Sequence, residues 1–233
     1  MVYIGTSGYY YKNWVGEFYP PSIMKYHYFD YYANHFNSLE LNSTFYRFPK
    51  IQTMRSWKYK LKNYPEFKLS VKVSRNITHK NRLKDTDLMK DFINNVSVLG
   101  DKLGVILLQL PPSLKYDILL LEEFVRCLDD NFKFAIEFRN GSWYRLETYT
   151  LLKNKNIALV WHDYRQEIIY EQTADFIYVR LHGSNGKYRG SYSDEFFITL
   201  KEKINNTLSY IYFNNTDDNS AFKDALRLKE LLK

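Results

Sequence analysis

Apolar positions along the chain switch repeatedly between two spacings. Short runs that alternate apolar and polar residues are followed by longer stretches with apolar residues three and four apart, the patterns of strands and amphipathic helices. Strand-like runs fall at 2–5, 38–42, 68–73, 103–110, 133–138, 157–161, 176–182 and 209–214. Helical stretches fall at 27–35, 52–60, 86–99, 118–128, 144–155, 194–206 and 220–233, whereas 164–174 is a poor helix. Asp194 is expected to cap its helix with Glu195 in the first turn, and Gly100 to close the helix at 86–99. Some eight strands with helices between them predict α/β architecture: a single TIM-type (β/α)8 barrel over residues 1–233 with an irregular sixth crossover. A wet-faced antiparallel sheet would alternate in the same way, but the intervening helices favour parallel crossovers.

The alternation also sorts the chemistry. Residues two apart share a face of a strand. Glu40 and Asn42 alternate with Leu39 and Leu41, and Glu137 and Arg139 with Ile136 and Phe138. Arg180 and His182 alternate with Val179 and Leu181, and Tyr212 and Asn214 with Ile211 and Phe213. Lys72 lies between Val71 and Val73, and Gln109 between Leu108 and Leu110. Each polar set stands at the C-terminal end of its strand, which in a barrel is the end that carries function.

Composition changes this picture in several ways. The chain has 233 residues, of which 45% are hydrophobic, so disorder is excluded and one core suffices. A lone Cys127 excludes an intramolecular disulfide and fits a reducing compartment, with the cytosol as the default expectation. No apolar run approaches the roughly 20 residues of a membrane span. The net charge is +7, and six positive residues, Lys68, Lys72, Arg75, Lys80, Arg82 and Lys84, occupy one segment without an acid, so the rest carries only +1. Most of that segment is expected at the barrel mouth, where it would concentrate a locally bound anion.

Carboxylates, guanidinium groups and an imidazole gathered in one interior must pair to offset desolvation. Such clusters mark candidate sites. Glu40 and Glu137 are the candidate acid–base pair, and His182 is a candidate proton carrier or charge stabiliser. Lys72, His79, Arg139 and Arg180 are candidate anion holders, and Asn42, Gln109 and Asn214 candidate orienting groups. Tyr46 and Trp143, with Trp14 and Trp161, are expected near the same ends, able to stack a ring or to fill the mouth. The sequence requires no cofactor. A divalent metal held by Glu40, Glu137, Asp163 and His182, with His162 or His79 in reserve, is a weaker alternative, because no His-Glu-x-x-His or Cys-x-x-Cys occurs and nearby cations oppose it.

These residues lie in segments that resemble the domain-of-unknown-function-72 family across nearly the whole chain. The segments are Gly5-Thr6-Ser7-Gly8, Trp14 with Gly16 and Phe18-Tyr19-Pro20, and Glu40-Leu41-Asn42-Ser43-Thr44-Phe45-Tyr46. They continue with Lys72, Thr78-His79, Gln109-Leu110-Pro111-Pro112, Glu137-Phe138-Arg139 and Ser142-Trp143. Tyr178-Val179-Arg180-Leu181-His182-Gly183 and Tyr212-Phe213-Asn214-Asn215 complete the match, which departs at Tyr9, where the family usually has Trp. The resemblance implies a TIM-type barrel and carries no agreed reaction.

The leading expectation is an enzyme of the hydrolase type acting on an anionic, phosphate-bearing substrate, with nucleic acid among the candidates, at the barrel mouth. A glycoside hydrolase using Glu40 and Glu137 is one alternative. A nucleic-acid or small-anion binding protein without catalysis is the other.

Overall fold

The computed structural model describes residues 1–165 and 167–233. Its strands are β1 (Val2–Thr6), β2 (Ser38–Leu41), β3 (Lys68–Lys72), β4 (Leu103–Gln109), β5 (Lys133–Glu137), β6 (Ala158–His162), β7 (Phe176–Leu181) and β8 (Leu208–Phe213). They form an eight-stranded sheet in the order β1-β8-β7-β6-β5-β4-β3-β2. Pairs β1/β8, β7/β8, β3/β4, β4/β5 and β5/β6 are parallel, and Ser7 makes a parallel bridge to Glu40. The helices are α1 (Tyr28–His35), α2 (Ser43–Tyr46), α3 (Ile51–Lys60), α4 (Thr86–Ser97), α5 (Ile118–Val125), α6 (Leu146–Asn154), α7 (Asp194–Ile204) and α8 (Ser220–Leu231). This is the element order of a TIM-type (β/α)8 barrel. Among the described residues the sixth crossover has no helix, as expected, and its residue 166 lies outside them.

The residues fall into two compact units, one of 1–40, 161–170 and 176–233, the other of 41–160 and 171–175. In the first, α8 buries Ala221, Phe222, Ala225 and Leu228 at helical spacing and packs on β1 and β8. Registers Ile4↔Ile211 and Arg180↔Tyr212 put the functional ends of β1, β7 and β8 at one level. In the second, α4 buries Met89, Phe92, Ile93 and Val96, and β3, β4 and β5 pair so that Gln109 stands beside Glu137. The Asp85 and Asp117 carboxylates accept the Leu88 and Leu120 N–H groups at 2.9 and 3.0 Å, closing the N-termini of α4 and α5.

Several local expectations change. Ser193, not Asp194, caps α7 by accepting the Phe196 N–H at 3.3 Å, which leaves Asp194 and Glu195 in the first turn. That helix stops at Ile204 because Asn205 and Asn206 turn to φ of 25° and 57°. Helix α5 ends at Val125 rather than 128, since Cys127 and Leu128 N–H groups bond three residues back at 3.1 and 3.2 Å. Helix α2 is a single turn too short to show a period. Lys68 opens β3 and donates to the Asp101 carbonyl at 2.5 Å, so it stands at the strand end opposite Lys72.

Candidate functional site

In the first unit the centre is Glu40, which is 0% exposed. Its carboxylate accepts from Ser7 Oγ at 2.6 Å, Tyr178 Oη at 2.7 Å, Arg180 Nε at 2.9 Å and Arg180 Nη2 at 2.8 Å. Burial alone would raise the carboxyl pKa, but the Arg180 charge and these hydrogen bonds outweigh it and hold it below the usual carboxylate range. Glu40 is therefore a fixed anion whose acceptor directions are filled. Burial and the neighbouring carboxylate push the Tyr178 phenol well above its ordinary value, so it stays a donor.

Arg180 also reaches His182, with Nη1 at 3.5 Å from Nε2. On the other side Asp163 Oδ1 accepts the His182 backbone N–H at 2.7 Å and lies 3.1 Å from Nδ1. A carboxylate only accepts and a guanidinium only donates, so the proton sits on Nδ1 and the Nε2 lone pair faces Arg180. Tyr192 Oη donates to Asp163 Oδ2 and accepts from the Gly183 N–H at 2.5 Å. His182 is fully buried, with the rings of Tyr164 and Tyr188 at 5.3 and 5.7 Å.

The loop that carries Tyr188 and Tyr192 is tied to the segment after β8. Asn215 Nδ2 donates to the Gly190 carbonyl at 2.9 Å and to Asp224 Oδ2 at 2.7 Å, and the Gly190 N–H donates to Asp218 Oδ2 at 2.7 Å. Burial pushes the Asp224 carboxyl up to about 6, more than the donors from Asn215 and Ser191 lower it. Asn214, the predicted orienting residue, is half-buried, and its backbone N–H bonds the Leu181 carbonyl at 2.6 Å.

The second unit holds a cationic group. Lys72 Nζ donates to Gln109 Oε1 at 2.9 Å and lies 4.2 Å from the centre of the Phe45 ring. Glu137 is paired with Arg139, both deeply buried. His79 is half-buried, meets the same Phe45 ring edge-on at 5.0 Å, and has Nδ1 2.9 Å from Thr78 Oγ1. Burial first, then the charges of Lys72, Arg139 and Arg75, push its pKa down to about 4, so the imidazole is neutral near pH 7. The Asn42 side-chain oxygen is buried with no hydrogen-bond partner among the described residues.

The aromatic expectation needs correction. Trp143 is 0% exposed, donates its indole N–H to the Leu114 carbonyl at 2.8 Å and stacks on Phe138 at 4.8 Å, so it fills the interior. Trp14 and Trp161 are likewise buried, while Tyr46 is 67% exposed on α2. Among the described residues no three His, Cys, Asp or Glu side chains gather as a metal-binding group. Within the first unit, Ser7 and Tyr192 went unnamed by the sequence pattern, and Tyr178 was legible as the next residue on the face of Arg180 and His182.

A parallel (β/α)8 sheet with charged side chains at its strand ends makes this a TIM-type barrel protein. The chain belongs to the family described as protein of unknown function DUF72, whose model matches residues 3–233. It is 27% identical over 146 residues to the UPF0759 protein YecE of Escherichia coli K12, covering 62% of this chain and 50% of that relative, so the chain spans about half of the relative's length. The DUF72 family protein TM1631 from Thermotoga maritima superposes with a TM-score of 0.87 at 30% identity, over 100% of this chain and 99% of that one. A family 2 AP endonuclease from Brucella melitensis shares the fold, with a TM-score of 0.62 at 12% identity over 98% of each chain. No helix among the described residues is long and apolar enough to cross a membrane.

Proposed function

We propose that this DUF72 protein is an enzyme of the hydrolase type that binds a phosphate-bearing anion through Lys72, His79, Gln109 and Arg139. The supporting observation is the surroundings of His79: burial first, and then the charges of Lys72, Arg139 and Arg75, keep a half-buried imidazole neutral, and an anion would relieve the cationic part. Lys72 supplies charge, while His79 and the Gln109 amide supply neutral donors for oxygens that gain charge as a phosphate ester is cleaved. In the first unit, His182, held in one tautomer by Asp163 and lying beside the Glu40–Arg180 pair, is a separate candidate proton carrier. The name of the Brucella fold relative makes a nucleic-acid phosphodiester the first substrate to try. A second reading, binding without catalysis, is favoured by the full burial of His182. Glycoside hydrolysis lacks a comparable observation, since an arginine engages each glutamate.

The test is a screen of phosphodiesters and phosphomonoesters with and without divalent metals, together with titration of inorganic phosphate at several salt concentrations. Salt-sensitive binding and turnover, both lost in Lys72→Met, are the expected result. Binding without turnover selects the second reading, and no binding overturns both.

A further inference from the structure

A cavity of about 640 Å³ lies within the first unit, with Asp163, Glu167, Tyr170, Gly183, Tyr192 and Phe196 in its wall. That size is in the range of roughly 300–1,000 Å³ that takes small ligands. Its chemistry is opposite to that of the cationic group around His79. Among the described residues, Lys, Arg and His are absent from its lining, whereas Asp163 and Glu167 face it together with the rings of Tyr170, Tyr192 and Phe196. An anion placed there would meet two carboxylates and no cationic side chain among the described lining residues.

Both carboxylates have acceptor capacity to spare. A carboxylate offers about four lone-pair directions. Asp163 uses three of them, for the His182 backbone N–H, for His182 Nδ1 and for Tyr192 Oη. Glu167 makes no hydrogen bond or ion pair with a described residue. The rings supply flat walls: Tyr192 stacks on Phe196 at 4.6 Å, and Tyr170 meets Trp161 edge-on at 5.2 Å. Lys203 Nζ already stands 5.4 Å from the centre of the Tyr170 ring, so that ring accepts a cation in this setting.

The wall is formed before any ligand arrives. Gly183 has φ of +102°, and a Cβ there would lie 2.0 Å from the Arg189 carbonyl oxygen, so the loop doubles back in a way only glycine permits. Its N–H holds Tyr192, and Tyr192 holds Asp163.

We infer that this cavity is a binding site for a planar organic cation of the amidinium or guanidinium kind, stacked between the aromatic walls and donating to Asp163 and Glu167. It stands independently of the phosphate assignment, because Lys72, His79, Gln109 and Arg139 are absent from its lining and its ligand charge is opposite; Asp163 alone has a second role, as the partner of His182. Benzamidine, neutral benzamide and anionic benzoate are matched probes, to be titrated into the full chain by calorimetry and by ¹⁵N NMR of the histidines. Benzamidine is expected to bind and benzoate not to bind. Benzamide should be about tenfold weaker than benzamidine, and Glu167→Gln should weaken benzamidine about tenfold, the size of a charge-assisted contact. Binding should also move the His182 Nδ1 resonance, since Asp163 bears on both. Phe196→Ala should weaken benzamidine and benzamide alike. The proposal is overturned if benzamidine does not bind, if benzoate binds as well as benzamidine, or if both Glu167→Gln and Phe196→Ala bind benzamidine as the wild type does.

Discussion

Glu40 and Arg180 lie 140 residues apart in sequence and meet as a two-pronged pair, Nη2 on Oε1 at 2.8 Å and Nε on Oε2 at 2.9 Å. Both side chains are almost wholly removed from water, at 0% and 1% exposure, and Arg180 supplies the positive charge that compensates the Glu40 carboxylate. Arg180→Met should therefore cost about 3–5 kcal/mol in urea denaturation, because it strands a buried carboxylate. The Glu40→Leu/Arg180→Met double variant should recover part of that loss. A single-variant cost below about 1 kcal/mol would show that the pair is dispensable. Because the folded-state pKa of Glu40 is depressed, its stabilisation is present above the unfolded carboxylate range and declines as pH falls through the folded value.

His79 should remain neutral in NMR titrations down to a pH of about 4. Lys72→Met should raise its pKa by removing the largest named charge beside it, and bound phosphate should raise it as well. A wild-type midpoint near the ordinary imidazole value of about 6.5 would contradict the cationic environment. The sign for stability follows: the folded pKa lies below the unfolded one, so stabilisation present above about pH 6.5 is lost as pH falls toward 4.

Asp224 behaves in the opposite sense. Its carboxyl is pushed up to about 6, so the folded chain holds that proton more tightly than the unfolded chain does. Its contribution is fully present below the unfolded value of about 4 and is lost as pH rises to about 6. Relative to Asp224→Asn, the wild type should lose on the order of 2 kcal/mol of stability between pH 4 and pH 7. Parallel stability profiles of the two proteins across that window would exclude the effect.

Trp143 and Tyr46 should separate packing from surface. Trp143→Ala should cost about 3–5 kcal/mol through the cavity it leaves and the unpaired Leu114 carbonyl. Tyr46→Ala, on an exposed turn, should stay within about 0.5 kcal/mol of the wild type. Denaturation midpoints measure both, and equal costs would refute the assignment of Trp143 to the interior.

The sequence pattern located all eight strands to within one residue at each end because apolar alternation and strand burial have the same cause. It placed Glu40, Lys72, Glu137 and Arg180 at strand ends for that reason too. It could not tell a filling tryptophan from a stacking one, since both roles ask for the same large ring, and Trp14, Trp143 and Trp161 all proved buried. Nor could it pair Asp163 with His182, because the contact depends on how a crossover without a helix returns to the strand end. Tyr178 was visible in principle, two residues before Arg180 on the same face.

The long separation of Glu40 from its partners also orders events during synthesis. A nascent chain that has reached residue 160 already contains the whole of the second unit's main segment, 41–160, but neither Tyr178 nor Arg180. Until β7 is made, Glu40 can gain only Ser7 among its donors, and burying its charge would be unfavourable. The Glu40 carboxylate thus has an electrostatic reason to stay hydrated until Tyr178 and Arg180 have been made, in the last quarter of translation.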